Sequence, residues 1–520
     1  MSVARQYWAK LARRLAASGA GQRAQWRPGS GAAGRTGGRA RVAAPRAAGA
    51  GWAAAVWAAG AGWAAAPRAA GAGRAAAPRA AGVGRAAAVW TASALLAAGA
   101  LLAGCTVSSD QPVFKRVGPL ITLRVGLFGD PGYQRAGLYA QYERLHPNVT
   151  IIQTDTTDQA GYWSTVQQRL RSGHGLADIQ AVPMADISTV TGPLASDFVP
   201  LSTLGGISGG NSAFSDNWLP WVAQQAASRS GVTYALGAET GPIAACYRTT
   251  LLREAGLPTS PAVLAKDWAT WAGYLKFGRL FRSRIPHGPA FTDSAASLYN
   301  TMAAQAKEQY YSQAGTLAVT GNPAIKQAWN TAVQAATDGL SAGLTPQTAA
   351  WDRGVTRGSF ATVMCPAWLL HQISSLAGPL SSGGWNVTTA PGGAGNSGGF
   401  YLALPRAGTH QQAAFQLATF LTGEQAGVEL FRSQGAFPAN FAAVNAVNGV
   451  TSPYFSGAQV GRIFGHSADR TPAAVLGPAS DTIGADIDGA LARVESGQAP
   501  GAAWRAAVQQ AAAAARAGPQ

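Results

Sequence analysis

"YALGAETGPIAACYRTTLLREAGLP", residues 234–258, decides the fold. Two apolar, strand-like runs flank "GAETGP" (237–242), a polar, Gly-rich turn that carries the chain across from one unit to another. A helix follows and stops at Gly256-Leu257-Pro258. Upstream, "ITLRVGLFG" (121–129) alternates like a strand and ends at Asp130-Pro131-Gly132. "YQRAGLYAQYERLHP" (133–147) spaces its apolar residues for a helix, and "VTIIQTDT" (149–156) is a second strand. "YWSTVQQRLRSG" (162–173) then reads as a helix and "ADIQAVP" (177–183) as a third strand. Alternating strands and helices predict an α/β protein, with a mostly parallel sheet covered by helices.

The N-terminal hundred residues are of another kind. The formal net charge is +17, which invites a nucleic-acid reading. Fourteen of those charges lie in residues 1–104, which hold no carboxylate, so the remainder carries only +3. No nucleic-acid partner is expected. Residues 1–82 are Ala/Gly/Arg-rich, and four 11-residue units run from Ala47 to Trp90. They are too short and too poor in large aliphatics to bury a core. Translation from Val83 would leave 83–104 as a signal segment: Arg85, an uncharged apolar run, then "LLAGC" (101–105). Leu-Ala-Gly-Cys resembles the bacterial lipoprotein signal. That resemblance implies cleavage after Gly104, acylation of Cys105, and a polar tether over 105–118. Two or three acyl chains at about 0.8 kcal/mol per buried CH₂ would hold such a protein on a membrane.

The body after Cys105 is long enough for two domains. It contains two more cysteines, Cys246 and Cys365, both in strand-like runs. Outside the cytoplasm they are expected to form a disulfide. Several motifs carry nothing further. "GAGNSG" (393–398) fits G-x-G-x-x-G, but a strand follows where a phosphate-binding helix must open. "GISGG" (206–210) fits a nucleophile elbow without its helix. The six histidines are scattered and no CxxC or HExxH occurs, so neither metal nor cofactor is expected.

The chain from about 119 onward resembles the extracellular solute-binding proteins of ABC importers, in the sugar-binding, maltodextrin-binding-protein-like branch. The resemblance rests on five segments in the family's order: "YERLHPNVTI", "SGHGLADIQAV", the opening stretch, "RGSFATVMCPAW", and "SGGFYLALPRAGTHQQAAFQLATFLTGEQAGVELFRSQGAFPAN". It implies a two-lobed periplasmic-binding-protein-like fold (type II), with hinge-connected lobes closing over a ligand cleft. The lobes would be 119–240 with 395–445, and 241–394 with 446–520. It further implies an extracytoplasmic, lipid-anchored monomer that hands a carbohydrate to an ABC permease and does no chemistry on it. A non-sugar ligand such as a polyamine, peptide or metal chelate is the alternative; a surface enzyme acting on glycans is a different class.

Ligands in open α/β sheets bind beyond the carboxyl ends of strands. The cleft is therefore expected around Phe128–Gly132, Pro183–Asp186, Glu239–Pro242 and Cys365–Trp368. Glu239 matches the acidic position of the family's crossing turn, Thr240 adds a hydroxyl, and Trp368 stands where the family stacks an aromatic ring on a sugar. Asp186 sits one residue out of step with an acidic family position. Asp130 and Asp293 lie in or near strand-end loops; each reads as a ligand carboxylate or as a cap or turn residue. Cys365 and Gly237 depart from the family's common polar residue and proline, which leaves the sugar's identity open.

Overall fold

A computed structural model describes residues 118–156, 159–204 and 216–517. The repeats, the signal segment, Cys105, all of the tether but Gly118, and "GISGG" lie outside the described residues. Nine strands are present among them. β1 (Ile121–Phe128), β2 (Val149–Thr156) and β3 (Ile179–Pro183) pair in parallel. β4 (Ala235–Arg248), β5 (Ala290–Thr292), β6 (Phe360–Pro366), β7 (Trp385–Thr389), β8 (Asn396–Ala403) and β9 (Phe437–Pro438) complete the path β2-β1-β3-β8-β4-β6-β5, with β7 and β9 also pairing with β4.

The expected mostly parallel sheet holds only at the two ends of this path. β8 lies antiparallel to β3, and β4 antiparallel to β8, β6 and β7. These long antiparallel strands carry the chain between two sheets, which a parallel βαβ connection could not do in so few residues. β4 serves both: up to Pro242 it pairs with β8, and from Ile243 with β6 and β7. "GAETGP" is therefore not a turn between two strands but part of one strand, interrupted by register shifts at Gly237/Glu239 and Thr240/Pro242. Such irregularities bend and twist a strand without ending it. Gly241 is required by close approach, since a Cβ there would lie 1.8 Å from the Ser397 carbonyl oxygen.

The helices that matter for the site are α1 (Leu138–Leu145), α2 (Gln159–Ser172), α3 (Trp271–Arg284), α4 (Ala295–Ala304), α5 (Pro323–Thr337), α6 (Leu369–Ala377), α7 (Gln411–Leu421), α8 (Glu424–Gln434), α9 (Val460–Arg470), α10 (Ser480–Glu495) and α11 (Pro500–Ala517). Their starts are written in the sequence. Thr270 caps α3 by accepting from Gly273 N at 3.1 Å, and Ser294 caps α4 by accepting from Ser297 N at 3.1 Å. Asn322 caps α5, with Pro323 at the first helical position.

Two cores result. Leu123, Val125 and Leu127 of β1 belong to the first, Tyr274, Phe281, Phe291 and Ile487 to the second. Alternation along β4 divides it between them: Ala244 and Cys246 face the first, Ile243, Ala245 and Tyr247 the second. α9 packs along β4 and accepts a hydrogen bond at the Ala468 carbonyl from Trp221 Nε1 (2.9 Å), so this stretch shares a core with residues expected in lobe 1. The sulfurs of Cys246 and Cys365 are joined, their Cα atoms 5.8 Å apart on neighbouring strands. Among the described residues no helix is long and apolar enough to cross a membrane.

Candidate functional site

The strands that cross between the sheets form the floor of a cleft. Ile243 of β4 and Ser397, Gly398 and Gly399 of β8 line it. Asn396 fixes this floor: its Oδ1 accepts from Gly241 N at 2.7 Å, and its Nδ2 donates to the Gly398 carbonyl at 2.9 Å. One wall is Gln159 at the start of α2 with Met184 and Ala185, which follow β3 in a one-turn 3-10 helix. The facing wall is built from α4, the 345–347 loop, the end of β6 and α10. The space between is about 350 Å³, and it continues into a further 290 Å³ bounded by Asn300, Tyr310, Asp481 and Asp488.

Trp368 follows β6 and starts α6. Its indole is only partly covered, borders the cleft, and is held at one edge by Nε1 donating to the Ser397 carbonyl at 2.9 Å. A ring pinned at its polar edge presents a fixed apolar face. Gln347, which also lines the cleft, has φ of 64° on a non-glycine residue, a left-handed conformation that costs energy and clusters at functional sites.

The acidic residues sort by surroundings. Asp186 closes the 3-10 turn after β3 and is buried; burial, then the nearby Asp481 carboxylate, pushes its pKa up to about 8. Its carboxylate accepts no hydrogen bond from a described residue. Glu239 is partly covered on β4, opposite Phe400 and Pro438 and close to Tyr133; burial raises it to about 8. It does not border the cleft cavities.

Three expected ligand residues are engaged by other groups of the protein. The Thr240 hydroxyl is fully buried and donates to the Phe437 and Pro438 carbonyls at 3.4 and 3.3 Å, tying β4 to β9. Asp293 is fully buried and accepts from Ser297 Oγ at 2.9 Å and Trp351 Nε1 at 3.0 Å. Burial pushes it up to about 7, with those donors pulling the other way. Asp130 is a turn residue: it accepts from Gly132 N at 2.8 Å and pairs with Arg135. Neither the Thr240 nor the Asp293 side chain can serve a ligand while so engaged.

The cleft's strongest polar groups were not anticipated. Asp481 and Asp488 stand seven residues apart on α10, with Gly484 and Ala485 between them on the same face. Asn300 Nδ2 donates to both Asp488 oxygens, at 3.0 and 2.9 Å. Burial raises Asp481, and it raises Asp488 to about 7, with Asn300 lowering it and Asp481 adding to the rise. Glu495, at the end of the same helix, anchors α4 by accepting from Ala295 N at 2.7 Å. The one available signal was the i, i+7 spacing of two aspartates with small residues between, a pattern that a solvated helix face shares.

Residues 137–453 match the family described as bacterial extracellular solute-binding protein. The chain belongs to that family. A crystal structure of a family 1 extracellular solute-binding protein is 34% identical, with a TM-score of 0.69, covering 76% of this chain and all of the other. The sugar-binding protein MalE from Xanthomonas citri shares the fold at 18% identity, with a TM-score of 0.61, covering 76% of this chain and 98% of the other. The lactose-binding protein of Rhizobium radiobacter is 25% identical over 164 residues, 31% of this chain; the chain spans 37% of that relative's length. The two-lobed, type II architecture is thus established, and with it an extracytoplasmic solute-binding role.

Proposed function

We propose that this solute-binding protein captures a carbohydrate in the cleft and hands it to an ABC permease, tethered to the membrane through lipid on Cys105. The observation that carries the reading is Trp368: a partly open indole at the end of a strand, fixed at its Nε1, bordering a polar cleft. A sugar ring offers a face of C–H groups for such a surface and hydroxyls for Asn300, Gln347, Asp481 and Asp488. The lobes, bounded at 119–240 with 395–445 and 241–394 with 446–520, close because the closed state touches the ligand from both sides. The protein acts as a monomer and leaves the sugar chemically unchanged.

Small-angle scattering of the full chain tests this reading. A saturating cognate sugar should lower the radius of gyration, as closure requires. An unchanged radius across a panel of gluco-, galacto- and manno-configured disaccharides would count against it.

A further inference from the structure

A second cavity, of about 570 Å³, lies between α2 and the sheet face of β1 and β2, and shares no lining residue with the cleft cavities. Arg124 borders it from the sheet and Arg169 from the helix; neither guanidinium has a hydrogen-bond or ion-pair partner among the described residues. Asp155 is the one carboxylate on its lining. Gln180, only 1% exposed, also borders it: its Oε1 accepts from Tyr162 Oη at 2.8 Å, and its Nε2 hydrogens have no partner. A buried donor left unpaired is costly. With two free guanidinium groups beside it, the cavity suits an oxyanion such as a phosphate group.

The sheet face next to the cavity is uncovered. Side chains alternate along β1 and β2, so Leu120, Thr122 and Arg124 share this face with their neighbours Thr150 and Ile152. All five are exposed, Leu120 at 67% and Ile152 at 41%. A soluble anion would leave both apolar tips in water, whereas a bilayer interface takes up apolar tips and attracts basic groups together. The position of the anchor favours that occupant. Cys105 lies 13 residues before Gly118, about 45 Å of chain at full stretch, and Leu120 is two residues further on. The intervening chain carries Lys115 and Arg116 against one acid, Asp110.

We propose that this face of the first lobe docks on the anionic surface of the membrane, with a lipid phosphate between Arg124 and Arg169 and with Leu120 and Ile152 in the interface. The inference rests on the Cys105 anchor proposed above and adds the surface that the anchored protein turns toward the bilayer. Every described residue of the face belongs to the first lobe in the division given above, so the second lobe stays free to close.

The test reconstitutes the mature, acylated protein in phosphatidylcholine vesicles with and without phosphatidylglycerol. A nitroxide is attached through Thr150→Cys on the docking face or through Leu317→Cys, which is exposed outside the first lobe. Cys246 and Cys365 are bonded to each other and take no label. With phosphatidylglycerol present, collisions of a water-soluble nickel complex with the Thr150 label should fall, and those with the Leu317 label should not. Combining Arg124→Gln with Arg169→Gln should lower the docked-to-free ratio roughly 30-fold, at about 1 kcal/mol per basic residue near such a surface. As a check free of arginine variants, raising salt should release the face. A Thr150 label equally open in both vesicles, or equally protected in the double variant, overturns the docking while the anchor stands. Calorimetric binding of free glycerol phosphate without label protection would make the cavity a site for a soluble anion and overturn the docking as well. If mass spectrometry finds no lipid on Cys105, the anchor falls, and this inference with it.

Discussion

Asp186 shows what an unsatisfied carboxylate costs. Its pKa rises from the ordinary 3.8 to about 8, and that of Asp488 to about 7, because burial penalises the charged form. The folded state therefore binds more protons than the unfolded chain between about pH 4 and pH 8. Stability contributed by these groups is full below that window and declines as pH rises through it. Asparagine at position 186 keeps the shape and cannot ionise. The melting temperature of Asp186→Asn should thus match the parent at about pH 4 and exceed it increasingly toward pH 8, in the absence of sugar. A difference that stays constant with pH would show that Asp186 is not a buried, titrating acid. Thr240 and Asp293 teach the converse. Both residue types suit a ligand, but their hydroxyl and carboxylate are used by β9, Ser297 and Trp351, and only three-dimensional packing reveals that.

At the level of elements, the adjoining strands β4 and β6 carry Cys246 and Cys365, each on the face turned toward the first core. Oxidation outside the cytoplasm should leave no free thiol at either position when the denatured, unreduced protein is titrated; two reactive thiols besides Cys105 would refute the bridge. Closing a loop of 118 residues is worth roughly 4–5 kcal/mol in the chain-entropy picture, less any native strain. Reduction should lower the denaturant midpoint accordingly. The first three strands and the helices between them were legible because period and punctuation agree there. The direction of β8 and β4 was not, since strand patterning is blind to whether a neighbour runs parallel. The polar, Gly-rich 237–242 segment reads as a turn because composition cannot register that β8 and β9 supply its backbone partners. The acidic face of α10 was missed for a similar reason: Asp481, Gly484, Ala485 and Asp488 spell a solvated helix until the opposite wall is in place.

For the whole molecule, the proposal joins two functions that sit far apart in sequence, an anchor at Cys105 and a cleft built from both lobes. Cys105→Ser should abolish labelling by radioactive palmitate and leave the chain uncleaved after Gly104; a labelled variant would defeat the anchoring proposal. Sugar capture stands or falls at Trp368. Truncating a ring that serves only the complex should cost on the order of 2–4 kcal/mol of binding, as interface hot spots do, or about 30- to 1000-fold in affinity. Truncating a core tryptophan would instead remove about 3–5 kcal/mol of stability. The decisive measurement is calorimetric titration of Trp368→Ala with the sugar that binds the parent, beside a melting curve of the unliganded variant. The account predicts a large loss of affinity at a nearly unchanged melting temperature. Parent-like affinity in a variant that melts many degrees lower would make Trp368 a packing residue and contradict the site.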